Sequence, residues 1–359
     1  MKLKFWEKKA PKKPKGFFQE WGDAILFAVI AATLIRWATF EAYTIPTPSM
    51  EKSLLVGDFL FVSKLHYGPR TPITPLQVPL THQTIWGTTI PSYSDAIKLP
   101  SYRLPGFSEV KNNDVVVFNY PPEEQHPTDL RTNYIKRCMG IAGDSIEVRD
   151  MQVFINGKPA ENPEEMQYRY YLLTDQAVNE RVFRDLDITD VAMVQGGYLV
   201  WTKPTTIPKL QQLGFIKDII LTKDPAGQGD PEIFPHSSKY KWNKDYFGPL
   251  YIPKKGATVA INPTTLPLYE TAILKYEGNE NARVQDSTLY INDQPVTNYT
   301  FKQDYFFMMG DNRHNSADSR FWGFVPHDHV VGKAVMIWMS RDPYESVGIR
   351  WRRIFNIIE

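Results

Sequence analysis

Cysteine is almost absent from this chain of 359 residues, which contains only Cys138. A single cysteine excludes a disulfide within the chain, but it leaves the compartment open, because an oxidising space permits disulfides without requiring them. The seven histidines are scattered. No Cys/His spacing typical of zinc and no glycine-rich phosphate loop is present. We therefore expect no metal, no other cofactor and no nucleotide chemistry.

Net charge is also nearly missing, at +1, although the charges are unevenly distributed. Residues 1–16 hold seven lysines and one glutamate, so the remaining 343 residues together carry about −5. Nucleic-acid binding needs basic residues gathered on the folded body, and no such concentration follows the leader. We therefore expect no nucleic-acid partner.

Long apolar runs are limited to one stretch, residues 24–40, directly after the lysine-rich leader. Its length is at the short end for a helix that crosses a hydrocarbon core of ~30 Å. A cleaved signal peptide and a buried helix share this pattern, but Phe40-Glu41-Ala42 lacks the small residues of a cleavage site. We predict a cytoplasmic leader (1–21), an uncleaved transmembrane helix (22–40) and translocation of everything beyond it.

The rest of the sequence is rich in short β-branched and aromatic runs bounded by turn residues. No long amphipathic helix interrupts them, so we predict a mainly β, antiparallel architecture. Residues 66–108 hold seven prolines, and we interpret them as a long surface excursion that hugs the body or the membrane. Two similar segments, 153–159 and 289–295, each predict a hairpin. The predicted strands are 58–64, 114–119, 133–139, 145–149, 152–155 and 330–339.

A block of 126 residues between these hairpins, 160–285, has its own strand signals. It contains none of the motifs that carry chemistry. We interpret it as an inserted second lobe, which divides the catalytic core into 41–159 and 286–359. The lobe is expected to be dispensable for the chemistry.

A serine and a lysine are candidates for nucleophile and base. Ser49 ends the segment Ile45-Pro-Thr-Pro-Ser49, whose prolines restrict the turn that carries the hydroxyl. A serine hydroxyl needs a base. No histidine lies in an obvious triad motif, which leaves Lys136. As a base it must be neutral, so its pKa must fall by roughly 2–3 from ~10.4. Taken alone, these two residues are better explained as a turn serine and a solvated surface lysine.

The densest polar cluster is residues 310–320, Gly-Asp-Asn-Arg-His-Asn-Ser-Ala-Asp-Ser-Arg. It is explained either as a polar turn or as a hydrogen-bonded scaffold. In the second interpretation Ser316 orients the lysine amine, and Asp318 pairs with Arg320.

In this order the motifs resemble those of bacterial signal peptidase I, the type I leader peptidase. The resemblance covers residues 22–70, 110–160 and 305–340. One departure is Glu51-Lys52-Ser53-Leu54, where the family has x-Pro-Thr-Leu. The matching boxes are the serine box at 45–50, Gly57-Asp58 to Lys64, the third box at 113–118, the lysine box at 134–144 and the last box at 310–320.

The resemblance implies a role for each site residue. Ser49 is the nucleophile and Lys136 the general base, while the Thr47 hydroxyl and the Ser49 N–H bind the oxyanion. Ser316 positions the lysine. Shallow pockets that accept small side chains are lined by Ile45 and Ile135, and further support comes from Asp318, Arg320 and Arg137.

The resemblance also implies an all-β catalytic core to which an extended substrate adds as a strand. Expected partners are the lipid bilayer and exported preproteins with signal peptides, which are cleaved after small-x-small sequences. The expected location is the bacterial inner (plasma) membrane, with a single span and the body on the outer, periplasmic side.

Two rival classes are a soluble self-cleaving Ser/Lys repressor and a non-catalytic envelope scaffold. The apolar N-terminal stretch argues against the first, and the intact Ser49, Lys136 and Ser316 argue against the second.

Overall fold

The chain begins, in the computed structural model, with one long helix. Residues 16–343 and 348–358 are described, so most of the predicted leader, 1–15, lies outside the described residues. Helix α1 (Phe17–Ala38) is about 33 Å long at ~1.5 Å per residue. It is long and apolar enough to cross a membrane, and none of its residues is buried. It starts before the predicted 22 because Phe17, Phe18 and Trp21 extend its apolar surface, and it ends before 40 because Phe40 begins a strand.

The rest of the described chain is mainly β, as predicted. Four short α-helices follow: α2 (Glu180–Asp185), α3 (Ile207–Gln211), α4 (Leu266–Thr271) and α5 (Ser319–Trp322). The strands are β1 (Phe40–Thr44), β2 (Asp58–Ser63), β3 (Val115–Asn119), β4 (Asn133–Gly140), β5 (Ser145–Arg149), β6 (Gln152–Ile155), β7 (Lys158–Pro159), β8 (Tyr168–Thr174), β9 (Asp190–Val194), β10 (Gly197–Thr202), β11 (Ile216–Leu221), β12 (Phe247–Tyr251), β13 (Thr258–Ala260), β14 (Ala282–Gln285), β15 (Thr288–Ile291), β16 (Gln294–Val296), β17 (Asn298–Thr300), β18 (Tyr305–Met309), β19 (Val325–Pro326), β20 (Val330–Ser340) and β21 (Asn356–Ile357).

A curled antiparallel sheet forms the centre of the fold, with strand order β1-β2-β20-β3-β4-β18-β19 and β21 paired to β20. Strand β1 forms one edge of this sheet. Alternate residues of β3 face opposite sides: Val115 and Val117 join an apolar cluster with Ile45 and Leu60, whereas Val116 and Phe118 join another. We call the side that carries Ile45 the inner face.

All six predicted strands are present, with bounds that differ by one residue at most. Both predicted hairpins form. Asn156 and Gly157 have positive φ between β6 and β7, as do Asn292 and Asp293 between β15 and β16, which is the geometry of a tight two-residue turn. The excursion 66–108 contains only isolated bridges to itself and no regular strand.

Strand pairings cross both ends of the predicted lobe. β12 lies within 160–285 but joins β5, and β13 pairs with β17 on the other side of residue 285. A shared core also joins the two parts, because Phe247 and Leu266 pack with Phe301 and Phe307. Only the sheet of order β11-β8-β10-β9 lies wholly within the block and has its own apolar cluster. The division at 160 and 285 stays a prediction.

Candidate active site

Ser49 lies on a short 3₁₀ turn, Pro48–Met50, that follows the edge strand β1. Proline suits the first position of such a turn because its missing N–H would have no partner there. The Asn312 backbone N–H donates to the Ser49 carbonyl at 3.1 Å, and the Asn312 side-chain amide donates to the Pro48 carbonyl at 3.2 Å. The last motif therefore holds the serine turn by its backbone.

The amine of Lys136 meets this serine directly. Its Nζ lies 2.7 Å from Ser49 Oγ and also donates to the Ile135 carbonyl at 2.8 Å. Lys136 is only 4% exposed. Burial lowers the pKa of the lysine from 10.5 to about 8, against the opposing charges of Asp318 and Asp311. A lysine with this pKa supplies a neutral amine to a useful fraction of molecules near pH 7.

Two buried arginine–aspartate pairs surround the dyad. Arg320 binds Asp318 through Nε at 2.9 Å and Nη2 at 2.8 Å, and Arg137 binds Asp311 at the same two distances. Burial alone would raise the pKa of the Asp318 carboxyl, but Arg320 and the Gly310 N–H hold it below its usual value. Each carboxylate is therefore paired with an arginine and anchors the motif.

Glycine is required at position 310 because the serine turn and Ser316 approach its backbone closely. A Cβ at this position would lie 2.5 Å from the Ser49 carbonyl oxygen and 2.2 Å from Ser316 Oγ. The Ser316 hydroxyl donates to the Ala317 carbonyl at 3.4 Å and bonds Asp318, whose pKa it helps to lower. Its described bonds do not include the lysine amine. Ser316 therefore lies beside the serine turn, and its positioning of Lys136 stays a prediction.

The other predicted site residues surround the serine turn. Thr47 is exposed at the start of the turn, and its side chain does not cap it. The Ser49 N–H belongs to the first turn of the 3₁₀ segment, where donors have no acceptor within the helix. Ile45 is buried and Ile135 half-buried, and both pack in one cluster with Met50. The residues expected to bind the oxyanion thus lie beside those expected to contact small substrate side chains, and both roles stay predictions.

Sequence reasoning missed the contribution of residues 160–285. Two side chains that follow Ser49 have partners in this block: Thr189 Oγ1 donates to Glu51 Oε1 at 2.8 Å, and Lys52 Nζ lies 2.9 Å from Asp187 Oδ1. The departure at Glu51-Lys52 was the one sequence signal, since buried charges need partners. Loss of these contacts would free one side of the serine turn.

The same block also holds the last motif. Gln167 pairs its backbone with this loop, donating to the Asp311 carbonyl and accepting from the Arg313 N–H, both at 3.0 Å. His314 Nε2 lies 2.8 Å from Asp245 Oδ1, and its Nδ1 accepts from the Arg169 N–H at 3.1 Å. These contacts weigh against the expectation that the block is dispensable for the chemistry. That expectation stays a prediction.

His314 is the histidine within the last motif and therefore the natural rival to lysine as base. Both of its ring nitrogens are engaged by the 160–285 block, so neither is free to accept a proton from Ser49. Among the described residues, no group of three or more His, Cys, Asp or Glu side chains is arranged to hold a metal ion.

Comparison with known proteins gives a consistent result. The family model described as signal peptidase, peptidase S26, matches residues 18–204 and 251–339. Signal peptidase I of Buchnera aphidicola (subspecies Acyrthosiphon pisum) is 26% identical over 356 residues, covering 98% of this chain and 85% of that protein. Signal peptidase I of Rickettsia felis is 32% identical over 326 residues, covering 90% and 79%. That of Aquifex aeolicus is 26% identical over 318 residues, covering 88% and 82%.

Proposed function

Because this chain belongs to the signal peptidase family, peptidase S26, we propose that it is a membrane-anchored Ser/Lys endopeptidase. In this proposal it removes N-terminal signal peptides from exported preproteins after small-x-small sites. The observation that carries the proposal is the 2.7 Å contact between Lys136 Nζ and Ser49 Oγ. It occurs where burial lowers the pKa of the lysine to about 8.

The chemistry follows from these two groups. Neutral Lys136 takes the proton of Ser49 as Oγ attacks the scissile carbonyl, and the resulting ammonium protonates the leaving amine. The Ser49 N–H and the Thr47 hydroxyl stabilise the oxyanion, at ~3–4 kcal/mol per donor. Lys136, neutral again, deprotonates the water that hydrolyses the acyl-enzyme.

The substrate adds as a strand along the free edge of β1. Ile45 N–H donates to the Asp58 carbonyl, and Gly57 N–H donates to the Ile45 carbonyl, both at 2.9 Å. Bonding alternates along an antiparallel strand, so the backbone groups of Ala42 and Thr44 point away from β2 toward the open edge. Preference for small side chains is assigned to Ile45 and Ile135.

The membrane arrangement is part of the same proposal. Helix α1 spans the bacterial inner (plasma) membrane once, with the lysine-rich leader in the cytoplasm and the catalytic body on the outer, periplasmic side. The support is the apolar character of α1 and the excess of lysine before it, since positive charge favours the cytoplasmic side.

The decisive experiment is incubation of the detergent-solubilised full chain with a preprotein, followed by N-terminal sequencing of the product. We expect a single cut after a small-x-small sequence, and no product from Ser49→Ala or Lys136→Arg. Substantial cleavage by either purified variant would refute the dyad. Orientation is tested by adding a protease outside intact spheroplasts, where a protected C-terminus would contradict the topology.

A further inference from the structure

The serine turn continues into a second turn, residues 50–53, whose backbone is strained. Glu51 has φ −51° and ψ 143°, and Lys52 follows with φ +73°. These φ values are those of the two central residues of a type II turn, whose second central position favours glycine. A lysine at positive φ is disfavoured, because its Cβ is crowded against the backbone. A strained residue therefore lies three positions after Ser49.

The strained turn fixes the direction in which the chain leaves the serine. Leu54 N–H donates to the Met50 carbonyl at 2.7 Å, and the Ser53 hydroxyl donates to Asp311 Oδ2 at 2.6 Å. Met50 ends the 3₁₀ turn that carries the serine, and Asp311 belongs to the last motif. Both bonds need the reversal of the chain at Lys52. Its conformation therefore sets how the serine turn is seated against the last motif.

The side chain of Lys52 offsets this strain through a partner in the 160–285 block. Its Nζ lies 2.9 Å from Asp187 Oδ1, which is the one bond that the ammonium group makes among the described residues. Lys52 is only 6% exposed. A buried ammonium without a counter-charge is strongly disfavoured. The carboxylate of Asp187 is therefore what stabilises a lysine in this position.

Asp187 is held in place by the packing of its own block. It lies between α2 and β9, where its N–H donates to the Arg184 carbonyl at 3.0 Å and the Ile188 N–H donates to the Phe183 carbonyl at 2.7 Å. Phe183 and Ile188 are buried in the apolar cluster of the block. The block therefore presents the carboxylate from an anchored backbone. The Asp187 side chain is 73% exposed, so solvent screening limits the strength of the ion pair.

We propose that Lys52 is a positioning residue for Ser49, which keeps the strained turn in place through its ion pair with Asp187. The 160–285 block thereby controls the rate of the chemical step, although it holds none of the reacting groups. The inference rests on the proposed peptidase function and adds a determinant of kcat to it. Glycine needs no such partner, because positive φ is unstrained for it.

Alanine and glycine at position 52 separate the strain from the ion pair. Lys52→Ala removes the pair and keeps the strain, so the turn relaxes, and we expect about tenfold lower kcat with KM nearly unchanged. Lys52→Gly removes the pair and the strain together, and it should restore most of the kcat that Lys52→Ala loses. The assay measures kcat and KM of the full chain in detergent on one peptide with a small-x-small site, per mole of folded enzyme determined by circular dichroism.

Asp187→Asn tests the partner from outside the turn. It keeps the shape of the side chain and removes its charge, so kcat should again fall about tenfold with KM nearly unchanged. Added to Lys52→Gly it should have no further effect, because the ammonium group is already gone. Lys217→Ala is the matched control, since Lys217 forms an exposed ion pair with Asp175 at 2.7 Å in the same block, and it should keep the wild-type kcat and KM.

The outcomes distinguish this role from a purely structural one. If the folded Lys52→Ala protein kept the wild-type kcat and lost only stability, the inference would be overturned. Equal kcat in Lys52→Gly and Lys52→Ala overturns it too, as does a wild-type kcat in Asp187→Asn. A further loss on adding Asp187→Asn to Lys52→Gly assigns the aspartate a role apart from the lysine and also overturns it. A wild-type protein that cleaves neither this peptide nor a preprotein overturns the proposed function itself.

Discussion

Replacing Lys136 with methionine is expected to abolish activity and to increase the free energy of unfolding at acidic pH. Burial lowers the pKa of this lysine from 10.5 to about 8, so below pH 8 the folded protein holds an ammonium group in a site that disfavours charge. At ~1.36 kcal/mol per pH unit, this destabilises the folded state by about 3 kcal/mol. Methionine has similar length and carries no charge.

The sign follows from proton binding. Between pH 8 and 10.5 the unfolded chain binds more protons than the folded one, so wild-type stability rises with pH through this window. The variant has no such rise. It also loses hydrogen bonds to Ser49 Oγ and the Ile135 carbonyl, at roughly 1 kcal/mol each. Relative to wild type, the variant should be about 1 kcal/mol more stable at pH 6 and about 2 kcal/mol less stable above pH 10.5.

Urea unfolding of the full chain in detergent at pH 6, 8 and 11 measures this difference. Lys158→Met, at an exposed position, is the matched control, and its difference from wild type should not change with pH. If Lys136→Met differed from wild type by the same amount at every pH, the lysine would not have a depressed pKa in the fold. Burial could then no longer explain how Lys136 becomes neutral and acts as the general base.

Three further predictions concern the surroundings of the dyad. In wild type, kcat/KM should rise with pH through an apparent pKa of about 8 as Lys136 loses its proton. Arg137→Gln should raise this apparent pKa, because Asp311 loses its arginine and its negative charge then favours the ammonium form of Lys136 more strongly. A pH–rate profile of both proteins checks this. Thr47→Val should lower kcat by ~10²–10³, whereas Thr47→Ser should retain activity, and a flat response in a peptide assay would remove Thr47 from the oxyanion site. Asp245→Asn should cost ~1–3 kcal/mol in urea unfolding, and an unchanged stability would show that its histidine contact does not hold the last motif.

Local patterns predicted the strands that are short and bounded by turns. The run 115–118 reads as continuously apolar because β3 is buried on both faces, and Asn-Gly at 156–157 specifies a tight turn. Strand β1 escaped prediction because Phe40 ends the apolar run that precedes it. Its inner face alternates Glu41 with Tyr43, which gives no apolar signal, and its pairing with β2 supplies the missing stability.

The dyad could be assigned from ordered motifs, but the contacts from 160–285 could not. Asp245 and His314 are 69 residues apart, as are many other polar pairs that never meet in the fold. Nothing in local spacing selects one partner among them. Such pairs are set by tertiary packing, in which each buried polar group must find a partner.

The density of charge in the last motif has a physical role in activating the lysine. An aspartate that formed an ion pair with Lys136 would favour the ammonium form and raise its pKa. Asp311 and Asp318 both lie near enough to exert that pull. Each is instead bound by an arginine, Arg137 or Arg320, whose positive charge opposes it. The carboxylates can therefore hold the backbone of the motif against the serine turn, while burial remains the largest influence on the pKa of Lys136 and lowers it. Arginine suits this task because it stays protonated and binds a carboxylate through two parallel hydrogen bonds.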